Sequence, residues 1–329
     1  MLSVICPIYN EEKYLVRCIE SILKQDFPKD ELEVIFSDGM STDRTREIVT
    51  EYTSKYPWIH LIDNPRRIVP PALNAAIKAS RGDIIMRIDA HASYAENYFS
   101  AIVEAHSRIN AENIGAVCRT DVLNKTPKAL AIREVLAHPF GVGNSAFRTG
   151  ITEEKEVDTV PFGCWRRDIF ERYGYFDERL VRNQDIEFSK RILRNSGKIV
   201  IIPETYSTYY ARETFRKLAK NNYANGLWNI LTVWYTNQFD SLSLRHFIPL
   251  LFTLSLLLPA TGGIFWHPLW WLAAASLLAY TAAVSVISAQ IAHRKHLNFF
   301  YLITTFFILH LSYGWGSLIG LVTLPFKIR

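Results

Sequence analysis

The sequence predicts an α/β domain with a mostly parallel, Rossmann-like sheet, followed by a transmembrane helical tail. Three observations predict it. Short β-branched runs alternate with amphipathic stretches up to residue 120; all 32 acidic residues precede Ser241; and two uncharged runs of 48 and 31 residues, His246–His293 and His296–Phe326, fill most of what remains. Strand-helix alternation builds a sheet covered on both faces. The two uncharged runs each exceed the roughly 20 apolar residues that cross a bilayer core, and two such runs at the end of a charged chain favour membrane insertion over buried core helices.

LSVICPIYN (2–10) reads as the first strand, followed by a helical pattern through Gln25. LEVIFSDG (32–39) precedes a helix from Thr42 to Lys55, and IHLIDN (59–64) precedes one from Pro71 to Ser80. DIIMRIDA (83–90) leads to a helix over Ala95–Asn110, and IGAVCRT (114–120) reads as a fifth strand. Helix starts carry local signals: Asn10 before Glu11 and Glu12, Ser41 before Thr42 and Asp43, and Pro71 where a first-turn proline is tolerated. Ligands collect at the carboxyl ends of strands in open α/β sheets. Tyr9-Asn10-Glu11, Ser37-Asp38-Gly39 and Asp89-Ala90-His91 are therefore expected to converge on one crevice.

From Asn124 to Pro161 the chain is rich in Gly, Thr and charge and reads as loops around an acceptor. Helical periodicity returns over 162–193, KIVIIP (198–203) reads as a strand, and Phe215–Tyr235 reads as an interfacial helix with aromatic anchors. The soluble domain is placed at 1–235 and the tail at 236–329, with spans near 247–266, 269–291 and 298–324. Arg245 and the His293–His296 turn fall on one side, which the positive-inside rule makes cytoplasmic. Lys327 and Arg329 conflict with a third full crossing, so a last segment broken at His310–Gly316 or partly interfacial is the alternative. The start, LSVICPIYN without a preceding basic patch, does not suggest a signal peptide, and the large domain is expected in the cytoplasm.

Residues 1–240 are electrically neutral, and the chain's charge of +5 comes from the tail, which disfavours a nucleic-acid-coating protein. Cys6, Cys18, Cys118 and Cys164 are scattered without a C-x-x-C pair and suit buried thiols better than disulfides or zinc. No G-x-G-x-x-G follows the first strand, and neither G-x-x-x-x-G-K-[ST] nor G-x-S-x-G occurs, so dinucleotide binding, P-loop hydrolysis and serine hydrolysis lose their main support. The crevice instead offers Asp38, Asp89 and His91, with Asp185 and Glu187 on a later helix. Carboxylates with an imidazole suit Mg2+ or Mn2+, ions that usually keep phosphate oxygens among their ligands. Taken singly, Asp38 also suits a turn, Asp89 a cap and Asp185 an exposed ion pair with Arg182 or Lys190.

PIYNE (7–11), SDGMSTDRT (37–45), RIDAHA (87–92) and NQDIEF (183–188) stand in the order and approximate spacing of family 2 glycosyltransferases of the GT-A fold. The stretches 69–94 and 160–188 resemble the succinoglycan-biosynthesis glucosyltransferases in particular, and the resemblance covers about residues 1–235. It implies that Pro7, Tyr9 and Glu11 line a nucleotide pocket, that Asp38 holds the base, and that Asp89 opens a D-x-D motif binding ribose and a divalent metal. His91 departs from that motif's third position and makes Mn2+ at least as good a metal as Mg2+. Asp185 matches the general base of the family's E-D motif, with Gln184 in place of Glu. Phe162, Gly163 and Trp165 align with the acceptor-binding stretch, and Arg212 with basic residues that reach the diphosphate. The processive Q-x-x-R-W is absent, which argues for adding one sugar. The resemblance thus implies a membrane-anchored, inverting hexosyltransferase that carries sugar from a nucleotide donor, UDP-glucose, to a lipid-linked saccharide in exopolysaccharide or cell-surface glycan biosynthesis. A polyprenyl-phosphate sugar synthase and an inactive scaffold of the same fold are the alternatives.

Overall fold

The computed structural model describes residues 1–143 and 145–326. Lys327 and Arg329, on which the topological conflict rested, lie outside them. The chain divides into two compact units, Met1–Arg119 with Ala146–Tyr210 and Thr120–Ser145 with Ala211–Arg329.

The first unit opens with β1 (Leu2–Ile8), α1 (Leu15–Leu23), β2 (Leu32–Asp38), α2 (Thr45–Lys55), β3 (Ile59–Asp63), α3 (Val69–Ala79) and β4 (Ile84–Arg87). β3, β2, β1 and β4 lie side by side and parallel. Both faces of β1 and β2 are covered, which explains their nearly unbroken apolar sequence. Alternate residues serve opposite cores: Val4 and Cys6 pack with Leu15, Cys18, Ile19 and Ile22 of α1, while Ile5 packs with Leu73, Ala76 and Ile77 of α3. Helix α3 starts two residues before Pro71, with both prolines in the first turn, where the missing N–H costs little.

The rest of the sheet comprises β5 (Ala92–Tyr94), β6 (Asn113–Asp121), β7 (Lys155–Glu156), β8 (Cys164–Arg166) and β9 (Ile199–Tyr210), between which come α4 (Tyr98–Arg108), α5 (Pro127–Ala137), α6 (Pro139–Val142), α7 (Ala146–Thr149), α8 (Asp168–Tyr173) and α9 (Gln184–Arg194). Here β8 pairs antiparallel with β4 and β6, and β9 pairs antiparallel with β5 and β7. The sheet order is β3-β2-β1-β4-β8-β6-β9-β5, with β7 on β9, so the sheet is mixed rather than parallel throughout. Strand β8 inserts beside β4 and brings 160–167 against the strand that ends in the D-x-D-like motif. The four cysteines are free and buried, as their spacing predicts.

In the second unit, α10 (Phe215–Thr236) precedes α11 (Ile248–Gly262), α12 (Leu269–Lys295) and α13 (Phe299–Thr323). Three helical stretches, Leu244–Gly262, Leu269–Lys295 and Phe299–Phe326, are long and apolar enough to cross a membrane. Leu251, Leu258, Trp271, Leu278 and Phe300 are exposed, an arrangement a water-facing surface rarely tolerates over such an area. Helix α13 is continuous through His310–Gly316, so the segment is not broken there. Its glycines serve close packing instead: a Cβ at Gly316 would run into the Tyr223 carbonyl of α10, and one at Gly226 into that of Tyr313. Asn229 of α10 adds a hydrogen bond to the Tyr313 hydroxyl. The stretch read as loops from Asn124 onward instead contains α5, whose Ala131 and Val135 pack with Val284, Leu302, Phe306 and Leu309. Thr126 caps it by accepting from the Ala129 N–H.

Candidate active site

The parallel register sets the site. Ile8 lies opposite Asp38, and Ile5 opposite Arg87, so the loops after β1, β2 and β4 leave the same edge of the sheet. Asn10, Met40, Phe162 and Asn183, in these loops and in the segments leading to β8 and α9, have left-handed backbones, with φ of 55°, 60°, 64° and 63°. Asn accepts this readily; Met and Phe do so only where the surroundings hold them.

The loops after β1 and β2 are laced together. Asn10 N–H donates to Ser41 Oγ (2.9 Å), Glu11 N–H to Thr45 Oγ1 (2.7 Å), and Thr42 N–H to Asn10 Oδ1 (2.8 Å). Asp38 is fully buried behind this lacing: Oδ1 accepts from Ser41 Oγ at 2.6 Å and Oδ2 from Arg46 at 3.1 Å. Arg46 also reaches Asp63 at 2.6 Å, and its hydrogen bonds to Asp63 and Asp38 raise its pKa above the ordinary arginine value. Asp38 is thus held in place by Ser41 and Arg46, which donate to its two carboxylate oxygens. Tyr9 is 45% exposed and Pro7 half-buried, so these two remain available to a nucleotide.

At the end of β4 stands a three-charge cluster. Arg87, its side chain only 7% exposed, donates from Nη2 to Asp89 Oδ1 at 3.2 Å, and its Nη1 lies 3.5 Å from Asp185 Oδ2. Burial works against the guanidinium charge, yet the adjoining Asp89 and Asp185 hold its pKa above the usual value. Asp89 is fixed further by Tyr94, whose hydroxyl lies 2.8 Å from the Asp89 N–H. Asp185 sits in the first turn of α9 and is 34% exposed, so it keeps access to solvent and substrate. His91 turns Nδ1 to Glu11 Oε1 at 3.3 Å and packs edge-on against Tyr209 and Tyr14. The structure therefore brings Asp89 to Asp185, and His91 to Glu11.

The acceptor stretch differs from expectation. Trp165 is 2% exposed and meets Phe170, Phe176 and Phe188 edge-on at 5.7–5.9 Å, which makes it core, not a platform for a sugar. Gly163 is needed for its backbone: φ is +89°, a Cβ there would lie 2.5 Å from the Trp165 ring, and its carbonyl accepts from Arg87 N–H. Trp165→Ala is expected to cost about 3–5 kcal/mol of stability, read as a lowered thermal midpoint in detergent. Unchanged stability with weakened acceptor binding would return Trp165 to the acceptor site. Arg212 belongs to the second unit. Arg87, Arg46 and Ser41 were missed by sequence reasoning, although an arginine inside the apolar run IIMRI is itself anomalous in a buried strand.

Residues 3–174, more than half of the chain, match the family described as Glycosyl transferase family 2. The chain belongs to this family. Among similar proteins, this glycosyltransferase is 28% identical over 231 residues to the dolichyl N-acetyl-alpha-D-glucosaminyl phosphate 3-beta-D-2,3-diacetamido-2,3-dideoxy-beta-D-glucuronosyltransferase of Methanococcus voltae, covering 68% of this chain and 71% of that protein. It is 28% identical over 211 residues to the succinoglycan biosynthesis protein ExoA of Rhizobium meliloti, covering 64% of this chain and 63% of that one. The fold is similar to that of a mannosyltransferase from Pyrobaculum calidifontis in complex with GDP-Man and Mn2+, with TM-score 0.61 at 19% identity over 97% of this chain and 86% of that one. The GT-A architecture and the glycosyltransferase class expected from the motifs are thereby established.

A divalent ion would find two protein donors of suitable chemistry. Asp89 Oδ2 carries no hydrogen bond among the described residues, and His91 keeps Nε2 free of one. No group of three or more His, Cys, Asp or Glu able to hold a metal occurs among the described residues. That donor set fits a hard cation which draws its remaining ligands from phosphates.

Proposed function

We propose that the protein transfers a hexose, with UDP-glucose as donor, to a lipid-linked saccharide, inverting the anomeric centre, in the building of an exopolysaccharide or other cell-surface glycan. The observation that carries this reading is the pairing of Asp89, at the end of a central strand, with Asp185, on a helix start, through one buried guanidinium. This pairing supports reading Asp89 as the donor-side carboxylate and the partly exposed Asp185 as the base. The names of the relatives support a lipid-linked or polysaccharide acceptor, and the three apolar helices support action at a membrane, with several crossings and the catalytic unit on the cytoplasmic side.

In this reading Tyr9 and Pro7 line the nucleotide pocket, with Glu11 and Asp38 holding its wall. Asp185 takes the proton of the acceptor hydroxyl, and the freed oxygen attacks the anomeric carbon from the face opposite the diphosphate. The bond from that carbon to the diphosphate oxygen breaks, and the electron pair leaves with the nucleotide diphosphate. A divalent cation held by Asp89 and His91 would offset charge on the diphosphate. Arg212 is retained as a candidate diphosphate contact, and Gly163 as backbone lining of the acceptor side. A polyprenyl-phosphate sugar synthase is the alternative within the same class of reaction, and the acceptor decides between them.

The test is release of nucleoside diphosphate by detergent-purified protein from a panel of UDP- and GDP-sugars, with total lipid extract as acceptor, in Mn2+ or in EDTA. One sugar turned over, dependent on lipid and lost in EDTA, is the expected result. Lipid-independent turnover, or none with any donor, would overturn the reading.

A further inference from the structure

Arg87 takes no part in the reaction described above, yet it is the group on which both carboxylates converge. It is the charged member of an otherwise apolar strand run, its side chain is 7% exposed, and its Nε and Nη1 form no hydrogen bond among the described residues. A buried arginine is costly to retain unless its charge is answered, and here it is answered twice, by Asp89 at 3.2 Å and Asp185 at 3.5 Å. Its backbone is held as well: the N–H donates to Gly163 O, the carbonyl that the left-handed Phe162-Gly163 turn presents, so strand β4 and the segment before β8 fix where the guanidinium starts.

We infer that Arg87 is a positioning residue that sets the spacing and orientation of Asp185 relative to Asp89. The inference rests on the reading that Asp89 faces the donor and Asp185 the acceptor. The two carboxylates, partly buried and close to one guanidinium, repel each other without it. The planar fork fixes two directions at once, which a lysine ammonium cannot do. Asp185 has its own Ile186 N–H on Oδ1 but no second side chain besides Arg87 among its described ion pairs, so its orientation depends on that contact. A carboxylate displaced by about 1 Å from an acceptor hydroxyl costs on the order of 10²-fold in rate.

The experiment compares Arg87→Met, Arg87→Lys and the double variant Arg87→Met/Asp185→Asn with the full-length parent in detergent. Transfer by the parent is established first, so that a failure of the proposed function shows there and not here. Expected are a kcat about 10²-fold lower in Arg87→Met and about 10-fold lower in Arg87→Lys, with acceptor KM within about 3-fold. In the Asp185→Asn background, Arg87→Met should lower kcat less than about 3-fold further, because the group through which it acts is already gone. UDP affinity, measured by calorimetry in EDTA, should fall about 10-fold in Arg87→Met, where Asp89 faces the diphosphate without its counter-charge, and less than about 3-fold in Arg87→Lys. Should Arg87→Met fail to fold, Arg87→Lys keeps the charge and carries the kinetic test alone. Parental kcat in Arg87→Lys or in folded Arg87→Met overturns the inference. So does full multiplication of the Arg87→Met and Asp185→Asn losses.

Discussion

Asp185→Asn lowers kcat for sugar transfer by about 10²–10⁴-fold and leaves the donor KM within about 3-fold. The amide keeps the shape of the carboxylate at the start of α9 but cannot take a proton, and in the proposed reading Asp185 serves the acceptor rather than the nucleotide. Steady-state kinetics with separate titrations of donor and acceptor give both constants, and nucleotide binding by calorimetry checks that the variant is folded. Equal losses in kcat and donor affinity would place Asp185 on the donor instead. Parental kcat would remove it from the chemistry.

Asp89→Asn acts on the other side of the same cluster. It removes the charge beside Arg87 and the hard oxygen donor at the strand end, so kcat/KM for the nucleotide sugar is expected to fall by about 10³-fold, with a raised requirement for divalent ion. The amide oxygen can still accept from Arg87 Nη2, which keeps the fold; Asp89→Ala leaves the buried guanidinium without its 3.2 Å partner and is expected to lose about 3–5 kcal/mol of stability in addition. A metal titration of UDP release, with a thermal midpoint for each variant, separates these two effects. A kcat/KM within about 2-fold of the parent in Asp89→Asn would contradict the donor-side assignment.

Legibility in the sequence followed the length of each periodic signal. β1, β2 and α1 could be read directly because each runs seven or more residues, the strands with β-branched apolar runs and the helix with a 3.6-residue pattern. The antiparallel half could not: β5, β7 and β8 have three, two and three residues, too short to carry a period, and their pairing is decided by what the chain packs against. Helix α5 was hidden because its buried face uses small residues, Ala129 and Ala131 beside Ile132 and Val135, within a charged stretch. The glycines of α13 read as an interruption, whereas between apolar helices they permit close crossing, as at Gly316.

At the site, motif spacing singled out Asp89 and Asp185 but gave no sign of the link between them through Arg87. Their meeting depends on β8 inserting beside β4 and on α9 following it, and neither is visible in local pattern. For Trp165 the sequence left both an acceptor contact and a core position open, and the ring cluster of Phe170, Phe176 and Phe188 surrounds it in the core. Asp38 was correctly sensed as a strand-end carboxylate, but Arg46 and Ser41, eight and three residues onward, occupy it.

The most direct measurement of the central claim is transfer of labelled glucose from UDP-glucose into the organic-extractable lipid fraction by the parent protein and by Asp185→Asn side by side. Label appearing in a saccharide-bearing lipid with the parent, with the anomeric configuration inverted and the signal lost in the variant, is the predicted result. Label reaching lipid equally well with Asp185→Asn, or reaching it with retained configuration, would contradict the account.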